Sequence, residues 1–131
     1  MRLLASLDCA WLRFIRKNSV LRSATEAEVK LMRRLRTQAS ELDAEGARCF
    51  LGLAGPEVME HDGHLALCFQ LQRCDLRSAL KRWGQGKGLP LQLVRNYARN
   101  VFLALRALKR VSIVHSDLKP DNLLVSMASW P

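Results

Sequence analysis

The chain lacks several features that would assign it to a special class. No apolar run approaches the roughly 20 residues that a membrane-spanning helix needs, and there is no internal repeat or low-complexity segment. The four cysteines show neither a C-x-x-C pair nor zinc-ligand spacing. These absences argue against a membrane protein, a repeat array and a zinc module. Cys68 and Cys74 lie near apolar segments and are interpreted as reduced, packed thiols, which favours the nucleus or the cytoplasm.

Length and charge set further bounds. The 131 residues suffice for one modest domain, and a hydrophobic content of 49% is typical of a globular protein. The 21 basic and 12 acidic residues give a net charge of +9, which could favour nucleic acid. The basic residues are dispersed, however, and their densest group, residues 30–36, is interrupted by apolar residues at helical spacing. We therefore expect a solvated helix face and no direct contact with nucleic acid.

The first half of the chain alternates between strand and helix patterns. Leu12 to Ile15 is a short strand candidate, and the capping box Ser23-Ala24-Thr25-Glu26 predicts the start of a helix. Polar residues 37–48 are interpreted as a connection. Residues 50–58 and 64–71 are predicted to be strands, because Asp62-Gly63 between them favours a two-residue hairpin turn.

Helices dominate the second half. Asp75 is a candidate cap for a short helix through Trp83, and the glycine-rich run 84–88 is interpreted as a connector. Pro90 favours the first turn of a longer helix that ends near Arg110. Together these patterns predict an α+β fold.

The residues His115-Ser116-Asp117-Leu118-Lys119-Pro120-Asp121-Asn122 carry the chemistry. Phosphoryl transfer needs a carboxylate near the attacking hydroxyl, and Asp117 is the candidate base. Lys119 can neutralise charge on the transferred phosphoryl group. The side-chain carbonyl of Asn122 can serve as a ligand for Mg²⁺, which prefers oxygen. The alternative is a polar turn that contains these residues by chance.

The spacing H-x-D-x-K-x-x-N resembles the catalytic loop of the eukaryotic protein kinases. Lys119 is similar to the lysine of the Ser/Thr-specific class. Ser116 stands where most members have an arginine that ties the loop to a phosphorylated activation segment. A small residue followed by Lys-Pro-Asp-Asn most resembles the pre-mRNA-splicing branch of the CMGC group.

The resemblance implies a truncated protein-kinase-like fold. Residues 10–71 would form part of the N-terminal lobe, and residues 72–131 would form the start of the helical C-terminal lobe. No G-x-G-x-x-G loop precedes the first strand candidate, and the chain ends before any D-F-G motif. We therefore expect a fragment of a kinase domain.

The family's nucleotide-binding positions can be carried over one by one. Arg13 occupies the position of the strand lysine that holds the phosphates, and Glu28 occupies that of its helical partner. Glu28 could equally be a solvated helix acid. Phe69 resembles the residue at the back of the nucleotide pocket, and Gln70, Leu71 and Gln72 would form the hinge whose backbone holds adenine. Asp75 would lie at the pocket rim.

Two functions follow as hypotheses. In the first, the complete protein is a Ser/Thr kinase that uses ATP and Mg²⁺ to phosphorylate proteins, and the 131-residue chain alone is inactive. In the second, the chain is a pseudokinase-like module that binds or regulates a partner. Arg13 and the missing motifs favour the second hypothesis, and the intact set of Asp117, Lys119 and Asn122 favours the first.

Overall fold

A computed structural model describes residues 10–126, which divide into two compact units. Unit 1 comprises residues 10–37 and 51–71, and unit 2 comprises residues 38–50 and 72–126. Strands and helices occur in both units, so the α+β prediction is confirmed. No helix within the described range is both long and apolar enough to cross a membrane.

Unit 1 is a three-stranded antiparallel sheet with one helix. The sheet has the order β1-β3-β2, with β3 in the centre. The elements are β1 (Ala10–Ile15), α1 (Ser19–Arg34), β2 (Leu53–His61) and β3 (His64–Gln70).

The core of unit 1 lies between α1 and the central strand. Val29 of α1 and Leu67 and Phe69 of β3 are buried together, and partly buried apolar side chains pack around them. Residues 65–69 of β3, the central strand of the sheet, are buried without interruption. This packing fixes the face of α1 that carries Glu28.

The start of α1 differs from the prediction. The helix begins at Ser19, where the Asn18 side chain caps it by accepting from the N–H groups of Val20 (2.9 Å) and Leu21 (3.1 Å). The capping box at Ser23 therefore lies inside the helix. Its Glu26 accepts a hydrogen bond from Arg22 Nε (3.1 Å), one turn earlier, instead of capping the backbone.

The hairpin is confirmed, with shifted strand limits. Asp62 (φ 50°) and Gly63 (φ 75°) adopt the left-handed conformation that a tight turn requires. Strand β2 runs from Leu53 to His61 instead of from residue 50 to 58. It is bulged: Leu53 pairs with Phe69 and Val58 with Leu67, so residues 54–57 lie opposite Cys68 alone.

Unit 2 is mainly helical. A π-helical turn (Leu35–Ala39) follows α1, and the polar segment predicted as a connection contains two short helices, α2 (Ser40–Leu42) and α3 (Ala44–Ala47). The remaining elements are β4 (Cys74–Asp75), α4 (Leu76–Trp83), α5 (Leu91–Arg110), a 3-10 turn (Pro120–Asn122) and β5 (Leu124–Val125).

A buried acid fastens the 38–50 segment to α5. Asp43 is the N-cap of α3 and accepts from Gly46 N (3.0 Å). Its carboxylate also accepts from Arg106 Nε (2.6 Å) and Nη2 (2.7 Å). The side chain of Asp43 is only 3% exposed, so the ion pair with Arg106 replaces the water that the carboxylate has lost. Glu45 adds an exposed pair with Arg99 (2.6 Å).

Candidate active-site loop

The loop from His115 to Asn122 is held at both ends by buried aliphatic residues. Val111 precedes it and Val125 follows it, and both are buried. Pro120 sets the start of the 3-10 turn that carries Asn122, because proline favours the first helical position. The loop side chains between these anchors are exposed, which leaves their polar groups accessible.

Three polar side chains meet in this loop. Lys119 Nζ lies 2.8 Å from Asp117 Oδ2. Asn122 Nδ2 donates to Asp117 Oδ2 (2.9 Å) and to the Asp117 carbonyl oxygen (2.8 Å). Lys119 and Asn122, which the sequence predicts as a set with Asp117, therefore both contact the Asp117 carboxylate.

These contacts set the charge state of the group. The hydrogen bonds from Lys119 and Asn122 hold the pKa of the Asp117 carboxyl below its usual value. The same carboxylate raises the pKa of the Lys119 ammonium. Near neutral pH the loop thus presents a carboxylate that can only accept hydrogen bonds, beside a lysine that is charged.

Asn122 is the loop residue whose side chain suits a magnesium ion. Because its amide nitrogen donates to Asp117, its carbonyl oxygen is turned away from that carboxylate. A carbonyl oxygen is a suitable Mg²⁺ ligand. Within residues 10–126 no group of three or more His, Cys, Asp or Glu side chains could hold a metal. Asn122 thus fits Mg²⁺ as one ligand among oxygens supplied from elsewhere, such as phosphate.

In unit 1, Arg13 and Glu28 form an ion pair. Arg13 lies on β1 opposite Leu67, and its Nη2 donates to Glu28 Oε2 on α1. The guanidinium also lies over the ring of Phe69, 5.6 Å from its centroid. The resemblance to the kinase family predicts the pair of Arg13 with Glu28. The contact of Arg13 with Phe69 depends on the long side chain and planar guanidinium of arginine.

The other predicted nucleotide-binding residues have varied surroundings. Phe69 is buried in the unit 1 core, and Gln70 is exposed at the end of β3. Gln72 is half-buried in unit 2. Asp75 caps α4 by accepting from Ser78 N (2.7 Å) and Ser78 Oγ (2.6 Å), and these bonds lower its pKa. Asp75 therefore has a structural partner, which confirms the predicted cap.

One contact at the loop is not visible in the sequence patterns. Arg77 Nε on α4 donates to Asp121 Oδ1 at 2.7 Å, across a sequence separation of 44 residues. The pair lowers the pKa of Asp121 and raises that of Arg77. A basic residue in the first turn of a helix is unfavourable for the helix dipole. The position of Arg77 in the first turn of α4 was the sequence pattern that could have indicated a partner outside the helix.

Comparisons with known proteins find protein kinases among the relatives of this chain. No protein-family model matches the chain. The serine/threonine-protein kinase prp4 of Schizosaccharomyces pombe is 36% identical over 115 residues, which are 88% of this chain and 23% of that protein. The serine/threonine-protein kinase prpf4B of Dictyostelium discoideum is 42% identical over 65 residues, 50% of this chain and 8% of that protein.

A third relative is named as a dual-specificity kinase. The dual specificity protein kinase YAK1 homolog of Arabidopsis thaliana is 37% identical over 71 residues, 54% of this chain and 7% of that protein. The chain thus spans less than a quarter of the length of each of these three proteins. Over the part of their length that it spans, the chain is a relative of the serine/threonine and dual-specificity protein kinases of the CMGC group.

Proposed function

We propose that the chain is part of a Ser/Thr protein kinase that transfers the γ-phosphoryl group of ATP to protein hydroxyls. The single observation that carries this proposal is the contact set of Asp117, Lys119 and Asn122 on one loop. The kinase relatives support the same reaction. Because the chain spans only part of those relatives, the activity is assigned to the whole protein.

In this reaction Asp117 would accept a hydrogen bond from the substrate hydroxyl and take its proton as the new P–O bond forms, while the bond from the γ-phosphorus to ADP breaks and ADP leaves. Its low pKa makes it a weak base, so orientation of the hydroxyl is its main contribution. Lys119 would oppose the negative charge of the transferred phosphoryl oxygens. Asn122 orients the Asp117 carboxylate through its amide nitrogen.

The cofactors proposed are ATP and Mg²⁺, the general requirements of protein kinases. Asn122 would hold Mg²⁺ through its carbonyl oxygen, and the ion would neutralise phosphate charge when bound. Arg13, positioned by Glu28, would contact the phosphates. By resemblance to the family, the proposed adenine-binding positions are Phe69, Gln70, Gln72 and Asp75.

The proposed setting follows the resemblance. Residues 10–71 would be part of the N-terminal lobe, and residues 72–131 would begin the C-terminal lobe. The substrate would be a protein, and the kinase itself would be related to splicing and would act in the nucleus or the cytoplasm. The 36% identity to a kinase named prp4 supports this branch.

A pseudokinase-like binding module is the second candidate, and Arg13 favours it. Its guanidinium is engaged by Glu28 and by the face of Phe69, whereas the family has the smaller ammonium of lysine at this position. In that case the chain would keep the residues of the loop although the protein transfers no phosphoryl group. The module would then act by binding a partner protein.

The deciding experiment measures phosphate transfer from ATP to a generic basic protein by the full-length gene product that carries this sequence. We expect activity with Mg²⁺, and a reduction of about 10²- to 10⁴-fold in kcat for Asp117→Asn, because asparagine can neither take the proton nor hold the hydroxyl as a carboxylate does. The isolated 131-residue chain is expected to be inactive.

Asp62→Asn is the matched control. Asp62 lies in the exposed hairpin turn with φ 50°, a conformation that asparagine also tolerates. It should keep wild-type activity. Full activity of Asp117→Asn would refute the proposed role of the loop, and an inactive wild-type protein that still binds a partner would establish the module.

A further inference from the structure

The C-terminal end of α4 carries basic residues around one tryptophan. Lys81 and Arg82 lie in the last turn of the helix, and Lys87 lies in the turn that follows it. The guanidinium groups of Arg73, which precedes α4, and of Arg82 both lie over the ring of Trp83, at 5.1 and 5.3 Å from its centroid. The four basic side chains are exposed. We call these five residues the Trp83 cluster.

The positive charge of the Trp83 cluster has few acids to balance it. Elsewhere in the chain many arginines pair with a carboxylate, as Arg33 does with Glu57 at 2.8 Å. Within residues 10–126 no acid forms an ion pair with Lys81, Arg82 or Lys87. The helix dipole favours cations in the last turn, which accounts for Lys81 and Arg82 but not for Lys87.

The two guanidinium groups are ordered by the protein itself. The negative face of an aromatic ring attracts a guanidinium, so Trp83 restricts the side chains of Arg73 and Arg82. The backbone below them is also fixed, because Arg73 N donates to Val125 O at 2.9 Å and Gly84, which ends α4, is buried. Side chains that are already ordered lose less entropy when they bind a partner.

This arrangement suits a phosphate on a peptide. A phosphoserine carries a charge of about −1.5 to −2 at pH 7 and three acceptor oxygens, and a planar guanidinium can donate to two such oxygens at once. A carboxylate has one charge for the two arginines to share. Single-stranded nucleic acid would require an open aromatic face on which its bases stack. Trp83 is half-buried, and Arg73 and Arg82 cover its ring.

We propose that the Trp83 cluster is a docking site for a phosphoserine-bearing segment of a partner protein. Arg73 and Arg82 bind the phosphate oxygens, and Trp83 fixes the two guanidinium groups. Lys81 and Lys87 attract further negative charge on the segment. The site lies entirely within unit 2 and uses none of the side chains from His115 to Asn122, so it does not depend on phosphoryl transfer.

The test is fluorescence anisotropy with the 131-residue chain and a fluorescein-labelled glycine-serine peptide that contains two phosphoserines. We expect saturable binding. Arg82→Gln should raise the Kd about tenfold or more, the loss expected for a hydrogen bond between charged groups. Arg82→Lys keeps the charge without the planar guanidinium and should raise the Kd less than Arg82→Gln does.

Arg16→Gln is the matched control. It removes the same charge from an exposed position in unit 1 and should change the Kd less than about threefold, because salt screens a distant charge. Trp83→Leu keeps every charge and should also raise the Kd, since both guanidinium groups lose their support. Circular dichroism checks that each variant is folded, and Arg82→Gln decides the result if Trp83→Leu is not.

Three probes define the partner. The unphosphorylated peptide should not bind, and a peptide with four glutamates in place of the two phosphoserines should bind more weakly than the phosphopeptide. Equal binding of the glutamate peptide, or tighter binding of a short single-stranded RNA that depends on Arg82, would overturn the proposal. So would equal losses from Arg82→Gln and Arg16→Gln, or no binding of the phosphopeptide. Because no ATP or turnover is involved, this inference and the kinase proposal can fail separately.

Discussion

Asp43 shows how much a single residue can depend on its surroundings. It lies in a polar stretch that the sequence indicates as a connection, yet its side chain is buried and paired with Arg106. Arg110 adds a weaker contact at 3.9 Å, and its guanidinium also donates to the Leu42 carbonyl. The acid and the arginines are more than 60 residues apart, so no local pattern could predict the pair.

The stability of the chain should therefore depend on pH in a defined window. Hydrogen bonds from Arg106 and Gly46 lower the pKa of Asp43 to about 2, whereas an unfolded aspartate titrates near about 4. The unfolded chain thus binds the proton first, and stability is lost as pH falls from about 4 towards 2. Urea unfolding at a series of pH values should show this loss.

Asp43→Asn isolates the contribution of that residue. At neutral pH the variant should unfold at a lower urea concentration than wild type, because asparagine cannot pair with Arg106 as an anion. The difference between the urea concentrations at which wild type and variant unfold should narrow as pH falls towards 2. Other acids also have lowered pKa values, but they are common to both proteins. A difference that stays constant with pH would contradict the assigned ion pair.

At the scale of elements, α3 approaches α5 closely at Gly46. A Cβ added there would lie 2.4 Å from the Leu103 carbonyl oxygen and 2.7 Å from Ala107 Cβ. Helix propensity favours alanine over glycine by about 1 kcal/mol, but overpacking costs about 1–3 kcal/mol, and a backbone carbonyl within a helix cannot move aside. Gly46→Ala should therefore lower the free energy of unfolding, measured by urea denaturation.

Gly52→Ala provides the control for this substitution. The nearest atoms to its added Cβ would be those of the Gln70 side chain, at 3.6 Å, which is ordinary van der Waals contact. We expect little or no loss of stability. If Gly46→Ala were as stable as Gly52→Ala, α3 and α5 could not be as close as described.

Elements that depend on adjacent residues could be predicted from the sequence. Elements that depend on distant residues, or on a choice between two capping residues, could not. The hairpin turn and the cap of α4 depend on adjacent residues, Asp62-Gly63 and Asp75. The start of α1 was mispredicted because Asn18 caps the chain before Ser23 is reached, and a helix once begun extends readily. The loop contacts of Asp117 were predictable since all partners lie within six residues, whereas Arg77 required the fold.

At the scale of the whole molecule, apolar exposure is combined with high positive charge. Several large side chains are exposed, including Phe14 (72%), Phe102 (71%) and Val114 (87%). Exposed apolar surface favours association, whereas a net charge of +9 opposes it. The charge repulsion is screened by salt, and the hydrophobic attraction is not.

We therefore expect the isolated 131-residue chain to associate more as salt rises from about 0.01 to 1 M, a range in which the Debye length falls from about 30 to 3 Å. Sedimentation velocity would measure the change. Phe102→Gln should reduce association at high salt and leave the trend with salt intact. Dissociation on adding salt would instead indicate that ion pairs between copies hold them together.

The bulge in β2 determines where this sheet can change in length. In a regular strand, one inserted or deleted residue turns every later side chain to the opposite face. Residues 54–57 lie opposite Cys68 alone, outside the regular register. One residue inserted or deleted there can therefore be accommodated without changing the pairing of Val58 with Leu67. The same change within β3 would expel Leu67 or Phe69 from the core. Length variation among relatives should therefore collect at 54–57, while β3 keeps a constant number of residues.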